Sequence, residues 1–294
     1  MVTRAKLIIP LTAVLFTVPA SAASVYIFNA TGQFGTIDVA TGAFQQIGPN
    51  MPEGAMGLAQ GPNGSLLTLA FSGNLTSIDP ATGLTSVIGP TGLTACATPA
   101  DPCGPTGTNT AGGLDGRVYV TDLSNNLYRV NPLTGGTTLI GPTGIPPLPF
   151  TPLSENPDGT FNAYDEALFG ANGKLYATFD AFTVDSTTFT LGSVLIPDNL
   201  YQIDPTTGMA TVIGPTDLNL AAVANVNGTF YAFNDGTSQI VTLDVTNGNT
   251  NVVTDFDPAV GLVLGAAPTP EPVSIALFGI GATAIALCRW RRRG

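Results

Sequence analysis

Four acids, Asp115, Asp165, Glu166 and Asp180, could supply the paired carboxylates of a glycan-acting enzyme. Two such groups flanking one glycosidic bond, one as acid and one as base or nucleophile, are enough to cleave it. Asp115 stands in an Asp-Gly pair, a combination used for its backbone geometry in tight hairpin turns. The four acids also do not recur at equivalent places along the chain, so the pattern favours turn acids and no catalytic residue is expected. A second oxygen-rich segment, Ser154-x-Asn156-x-Asp158-Gly159 followed after five residues by Asp165, has the rhythm of a calcium loop, with Ser first and Asp in place of Glu last. Pro152 and Pro157 oppose the flanking helices such a loop normally needs. A polar Asn-Pro-Asp-Gly turn is the preferred reading, and no cofactor is expected, calcium being the one candidate.

The chain has no histidine among its 294 residues. That removes Ser-His-Asp and Cys-His nucleophile systems, His-ligated zinc and imidazole bases together. Cys96 and Cys103 enclose a six-residue, Pro-rich loop that an oxidising compartment lets close as a disulfide, a local staple; thiol redox or metal ligation is the lesser alternative. Between residues 24 and 269 three bases, Arg117, Arg129 and Lys174, face nineteen acids, a net charge of −16. Such a body repels polyanions, so nucleic acid and anionic lipid are poor partners. Solubility is the ordinary use of that charge.

The elements that must position these residues are repeats. Five segments align: Gly35-Thr-Ile-Asp-Val-Ala-Thr-Gly42, Leu75-Thr-Ser-Ile-Asp-Pro-Ala-Thr-Gly83, Leu127-Tyr-Arg-Val-Asn-Pro-Leu-Thr-Gly135, Leu200-Tyr-Gln-Ile-Asp-Pro-Thr-Thr-Gly208 and Ile240-Val-Thr-Leu-Asp-Val-Thr-Asn-Gly248. Four run on into Ile-Gly-Pro, at Ile47, Ile88, Ile140 and Ile213. Each reads as a hairpin: the Asp carboxylate can bond amides two residues on, and the Gly supplies a positive φ at the turn's exit. Upstream Asn-Gly or Asp-Gly hairpins complete four strands per unit. The turn glycines are spaced by 41, 52, 73 and 40 residues, and about 40 is one propeller blade. The longer intervals hold insertions: the Cys96 to Cys103 loop, and the stretches 145–157 and 180–199. Val260-Gly-Leu-Val-Leu-Gly resembles Met56-Gly-Leu-Ala-Gln-Gly, so residues 256–267 are expected to return and complete the first blade, removing free sheet edges. The expected fold is all-β, a five-bladed propeller over 24–267, with an open β-solenoid as the alternative. The repeats resemble those of exported bacterial propellers, a likeness of architecture that names no activity.

Both ends read as addresses. Arg4 and Lys6, the apolar run 7–18 and the Ala20-Ser-Ala22 site form a secretory signal over residues 1–23. At the other end Pro270-Glu271-Pro272 precedes an uncharged run, 273–288, and then Arg289, Trp290, Arg291, Arg292 and Arg293. As a helix that run would reach about 24 Å, a marginal span of a roughly 30 Å hydrocarbon core. Interfacial Trp and cytoplasmic Arg would orient it. Residues 268–294 resemble the PEP-CTERM sorting tail of Gram-negative envelope proteins. The resemblance implies that an exosortase recognises the chain, that the precursor is anchored in the inner membrane through a single transmembrane helix, and that the product resides at the cell surface or outside. Because such systems accompany exopolysaccharide production, it also implies a propeller that binds glycan or an envelope protein. The expected function is therefore non-enzymatic, with a secreted glycan hydrolase or lyase working at the channel mouth as the alternative.

Overall fold

The computed structural model describes residues 23–93, 110–112, 116–122, 124–146, 156–171, 173–187, 191–216 and 219–270. Period-two alternation, Asp-anchored turns and Gly-Pro stops give five four-stranded antiparallel sheets. Blade 1 contains β1 (Ser24–Asn29), β2 (Phe34–Asp38) and β3 (Phe44–Gln46); blade 2 contains β4 (Ala55–Gln60), β5 (Leu66–Ala70), β6 (Asn74–Ile78) and β7 (Thr85–Pro90). Blade 3 is β8 (Thr110–Gly112), β9 (Val118–Thr121), β10 (Asn126–Val130) and β11 (Thr137–Pro142); blade 4 is β12 (Thr160–Ala171), β13 (Lys174–Asp185), β14 (Leu191–Ile203) and β15 (Ala210–Pro215). Blade 5 is β16 (Leu220–Val226), β17 (Thr229–Asn234), β18 (Gln239–Leu243) and β19 (Thr250–Asp255), after which β20 (Val263–Pro268) pairs antiparallel with β1 and becomes the inner strand of blade 1. The inner strands β20, β4, β8, β12 and β16 contact one another in turn and close the ring, which makes the fold a five-bladed β-propeller.

The core is divided as the ring demands. Five buried apolar clusters lie one at each blade interface: around Phe28, Phe34 and Leu66 for blades 1 and 2, Leu67, Val118 and Val120 for 2 and 3, Leu127, Leu175 and Phe179 for 3 and 4, Phe169, Phe230 and Val241 for 4 and 5, and Phe233, Ile27 and Phe256 for 5 and 1. No blade buries its apolar faces alone, so stability comes from stacking neighbours.

The repeated turn is held by its first acid. Asp204 Oδ1 accepts from the backbone N–H (2.8 Å) and hydroxyl (2.7 Å) of Thr206, and the Gly208 N–H donates to the Asp204 carbonyl at 2.8 Å. Asp38, Asp79, Asn131 and Asp244 do the same work in the other blades. The turn glycine and the Ile-Gly-Pro glycine, which the sequence presents as separate motifs, meet across the blade seams. A Cβ on Gly83 would stand 2.2 Å from the Ile47 carbonyl oxygen, and one on Gly135 would stand 2.3 Å from that of Gly89. The fifth seam sets Gly42 against the Asp255 backbone, although the last repeat lacks the Ile-Gly-Pro run.

Two expectations are corrected. The alignment of Val260-Gly-Leu with Met56-Gly-Leu is four residues out of place: Pro258–Val260 is a 3₁₀ turn, and Gly265, not Gly261, packs against Gly57, its added Cβ falling 2.9 Å from the Gly57 carbonyl carbon. An even shift preserves which face is buried, so hydropathy alone cannot detect it. The 180–199 insertion is also more than a loop. β12, β13 and β14 run 12, 12 and 13 residues, about twice the strands elsewhere, so blade 4 projects beyond the ring as sheet.

Candidate functional site

All inner strands run the same way, which gives the propeller two unlike faces. We call the one where they end the exit face and the one where they begin, and from which blade 4 projects, the insertion face. Between the inner strands, Gly57, Leu58, Glu166, Ala167, Val223 and Gly265 line a small cavity of about 10 Å³. A larger cavity of about 440 Å³ opens at the exit face. Leu58, Leu168, Val223 and Ala224 form apolar walls there, Gln60, Asn225 and Asn227 bring amides, and Gly61, Gly116, Gly170 and Gly228 leave backbone open. Gln60 Nε2 donates to the Pro268 carbonyl at 2.9 Å, tying blade 2 to blade 1 across the rim, and Asn225 Oδ1 accepts from the Gly228 N–H at 2.9 Å, fixing a hairpin turn. Amides over an apolar floor suit a neutral or weakly polar ligand, with specificity from a few placed polar groups.

The sequence-derived acids do not converge on this cavity. Glu166 is 2 % exposed beside the small inner cavity, and its Oε1 accepts from the Thr121 hydroxyl of blade 3 at 2.8 Å. Asp180 is buried on β13. In the β12/β13 ladder, which has no register shift, Glu166 is opposite Phe179 and Asp165 is opposite Asp180. Paired residues share a sheet face and successive residues alternate, so Glu166 and Asp180 project to opposite faces. They cannot flank one bond. The side chain of Asp165 and the whole of Asp115 lie outside the described residues. Sequence reasoning overlooked Asp198, buried on β14, whose Oδ2 accepts from the Leu220 N–H at 3.3 Å and whose charge, after burial, raises the Tyr201 phenol. Its only sequence signal is a Pro-Asp-Asn run inside the insertion.

The calcium-like spacing does not close on an ion. Asp158 Oδ1 accepts from the Thr160 hydroxyl and N–H at 2.7 and 3.1 Å, and Asn156 Nδ2 donates to Thr160 Oγ1 and Asn162 Oδ1. Beyond them β12 is extended from Thr160, which places the Asp165 backbone about 17 Å further along the strand at roughly 3.4 Å per residue. A turn that opens a strand takes the place of a loop that curls around a cation, and Ser154 lies outside the described residues. No group of three His, Cys, Asp or Glu suited to a metal occurs among the described residues. Ala20, Ala22, Cys96, Cys103, Glu271, Pro272, Arg289, Trp290, Arg291, Arg292 and Arg293 also lie outside them.

The turn acids have a measurable role. Hydrogen bonds from the Thr206 hydroxyl and N–H hold the Asp204 carboxyl below its ordinary value, as those from Thr246 do for Asp244. On acidification the unfolded chain therefore takes up protons before the folded one. The stability these turns supply is complete above the usual carboxylate range and is lost as pH falls through it toward the lowered folded values. Asp204→Asn with Asp244→Asn should flatten the acid-side fall of the urea midpoint while leaving neutral stability close to wild type, as Asn131 already serves blade 3. An unchanged acid slope would assign that fall to other groups.

A propeller with an amide-lined mouth is a class of architecture, and comparisons with known proteins take the chain no further than that. No protein-family model matches it, and no curated protein sequence does. It is similar to a structure in a nidogen/laminin complex, at 12 % identity and TM-score 0.47 over 83 % of this chain and 97 % of that one. It is also similar to virginiamycin B lyase from Staphylococcus aureus, at 16 % identity and TM-score 0.39 over 79 % of this chain and 66 % of that one. An inactive variant of that lyase holding quinupristin gives 0.40 at the same identity. Likeness this distant carries no activity from one chain to another.

Proposed function

We propose that the chain is an exported, non-enzymatic cell-envelope or extracellular-matrix protein, sorted by an exosortase, whose propeller binds a glycan or protein partner associated with exopolysaccharide. The observation that supports the non-enzymatic part is the distance of the described acids from the exit cavity. The register of blade 4 sets Asp165 opposite Asp180 and turns Glu166 to the other face, Glu166 is engaged with Thr121, and none of the described acids lines the exit cavity. The exit cavity supports the binding part, since amide groups and open backbone can meet hydroxyls without chemistry. Incubating the purified protein with the polysaccharide of its host should give co-sedimentation with no shortening of the polymer, and Asp165→Ala or Glu166→Ala should not change that outcome. Depolymerisation that disappears in Glu166→Ala would replace this reading with the hydrolase or lyase.

The sorting part rests on the Pro270-Glu271-Pro272 motif, the apolar run and the terminal arginines. Either Glu271→Ala or removal of the four tail arginines should shift the protein between envelope and medium fractions while its circular dichroism stays native. An unaltered distribution would remove exosortase as a partner.

A further inference from the structure

We infer that the exit cavity receives the end of an uncharged saccharide chain, a terminus or a short branch, and not its interior. This rests on the glycan-binding reading of the propeller and adds which part of the polymer is held.

The cavity is surrounded. Every blade contributes to its wall, blade 1 through Ala266, blade 2 through Gly61, blade 3 through Gly116, blade 4 through Gly170 and blade 5 through Gly228. A ligand therefore enters along the propeller axis. The inner end is closed as well. Leu58, Leu168, Val223 and Ala266 border both this cavity and the one of about 10 Å³ behind it, which is space for about one water molecule. A site with one opening holds a chain by its end, because an interior unit carries chain on both sides and needs a second way out. A polymer laid across the mouth would touch the rim at Asn227 and Gly228 and leave the apolar floor wet.

The lining selects against charge. Among the described residues it includes no acid or base, and Arg117, beside Gly116 in the chain, is not part of it. Asp38, Asp79, Asp204 and Asp244 stand at the ends of the third strands of their blades, on the same face, so an anionic sugar finds no cation inside and meets acids outside. What the cavity offers is amide. With Nε2 given to the Pro268 carbonyl, Gln60 keeps Oε1 as an acceptor, and with Oδ1 taken by the Gly228 N–H, Asn225 keeps Nδ2 as a donor. A sugar hydroxyl both donates and accepts, so it can meet either group while the C–H faces of the ring lie on Leu58, Leu168 and Val223. A terminal unit carries a hydroxyl where an interior unit carries the next linkage, and the closed inner end admits only the hydroxyl.

The test counts chain ends. The full chain is titrated against equal masses of the host polysaccharide, either intact or cut by limited acid hydrolysis to about a tenth of its mean length; one end per cavity predicts about tenfold more protein bound at saturation on the cut material. Fragments that pass an anion exchanger uncharged should carry that binding, and the mono- and disaccharides from complete hydrolysis should displace the polymer. Asn227 is exposed on the rim, so Asn227→Trp should block the mouth and abolish binding while the urea midpoint stays near wild type. Equal capacity at equal mass, binding confined to charged fragments, no displacement, or full binding by a folded Asn227→Trp would each overturn end recognition and leave glycan binding standing. No binding to either preparation would overturn both.

Discussion

A chain ending at Leu262 should lose cooperative unfolding and elute as aggregate on size exclusion, even though it lacks only one described strand, β20. That strand contributes buried Val263, Ala266 and Ala267 and pairs with β1 from Val25 through Asn29. Its loss opens an edge on β1 and removes the contacts of β20 with β4 and β16, so two of the five interfaces fail together. An unpaired inner edge backed by Ile27 and Phe28 is also a template for pairing with other chains. Near-ultraviolet circular dichroism and elution volume read the outcome, and a monomer with a native spectrum would show that closure of the ring contributes little.

The second large effect belongs to the blade seams. Gly83→Ala should cost about 3 kcal/mol, the sum of a left-handed backbone that disfavours a side chain and an overpacked contact, each roughly 1–2 kcal/mol. Gly83 has φ +68°, and its added Cβ would meet the Ile47 backbone, which is fixed in the neighbouring blade and cannot give way as a side chain could. Gly64→Ala separates the two contributions. Gly64 has φ +76° with nothing within 4 Å of its added Cβ, so the backbone cost of about 1 kcal/mol should appear alone. Urea titrations of the two variants give the difference directly. Equal losses would mean that the seam is free to open, and the meeting of the two glycine motifs would then have no energetic consequence.

This seam explains a feature of the sequence that local reasoning leaves unexplained. An Asp-Pro-x-Thr-Gly turn accounts for its own glycine through φ, as the positive φ of Gly48 accounts for the glycine of the first Ile-Gly-Pro run, but nothing within one repeat requires Gly89 or Gly141, which lie in β7 and β11. Only their neighbours do: Gly89 faces the Thr134 carbonyl of the next blade, and Gly141 faces that of Thr207. The aspartates divide in the same way. Asp204 and Asp244 are fully explained by the amides two residues on, whereas Glu166 takes its meaning from Thr121, forty-five residues away.

By itself the sequence determined the number of blades, the outer hairpins and the turn that closes each, because those features are built from hydrogen bonds within about eight residues and repeat with the chain. It also determined that histidine-based chemistries are absent. Only the tertiary structure decided that Glu166 looks away from Asp180 while Asp165 stands opposite it, and that β20 meets its neighbour four residues from where the motif suggests. Those facts depend on strand register and ring closure, and contacts of that range leave no periodic trace for a single repeat to show.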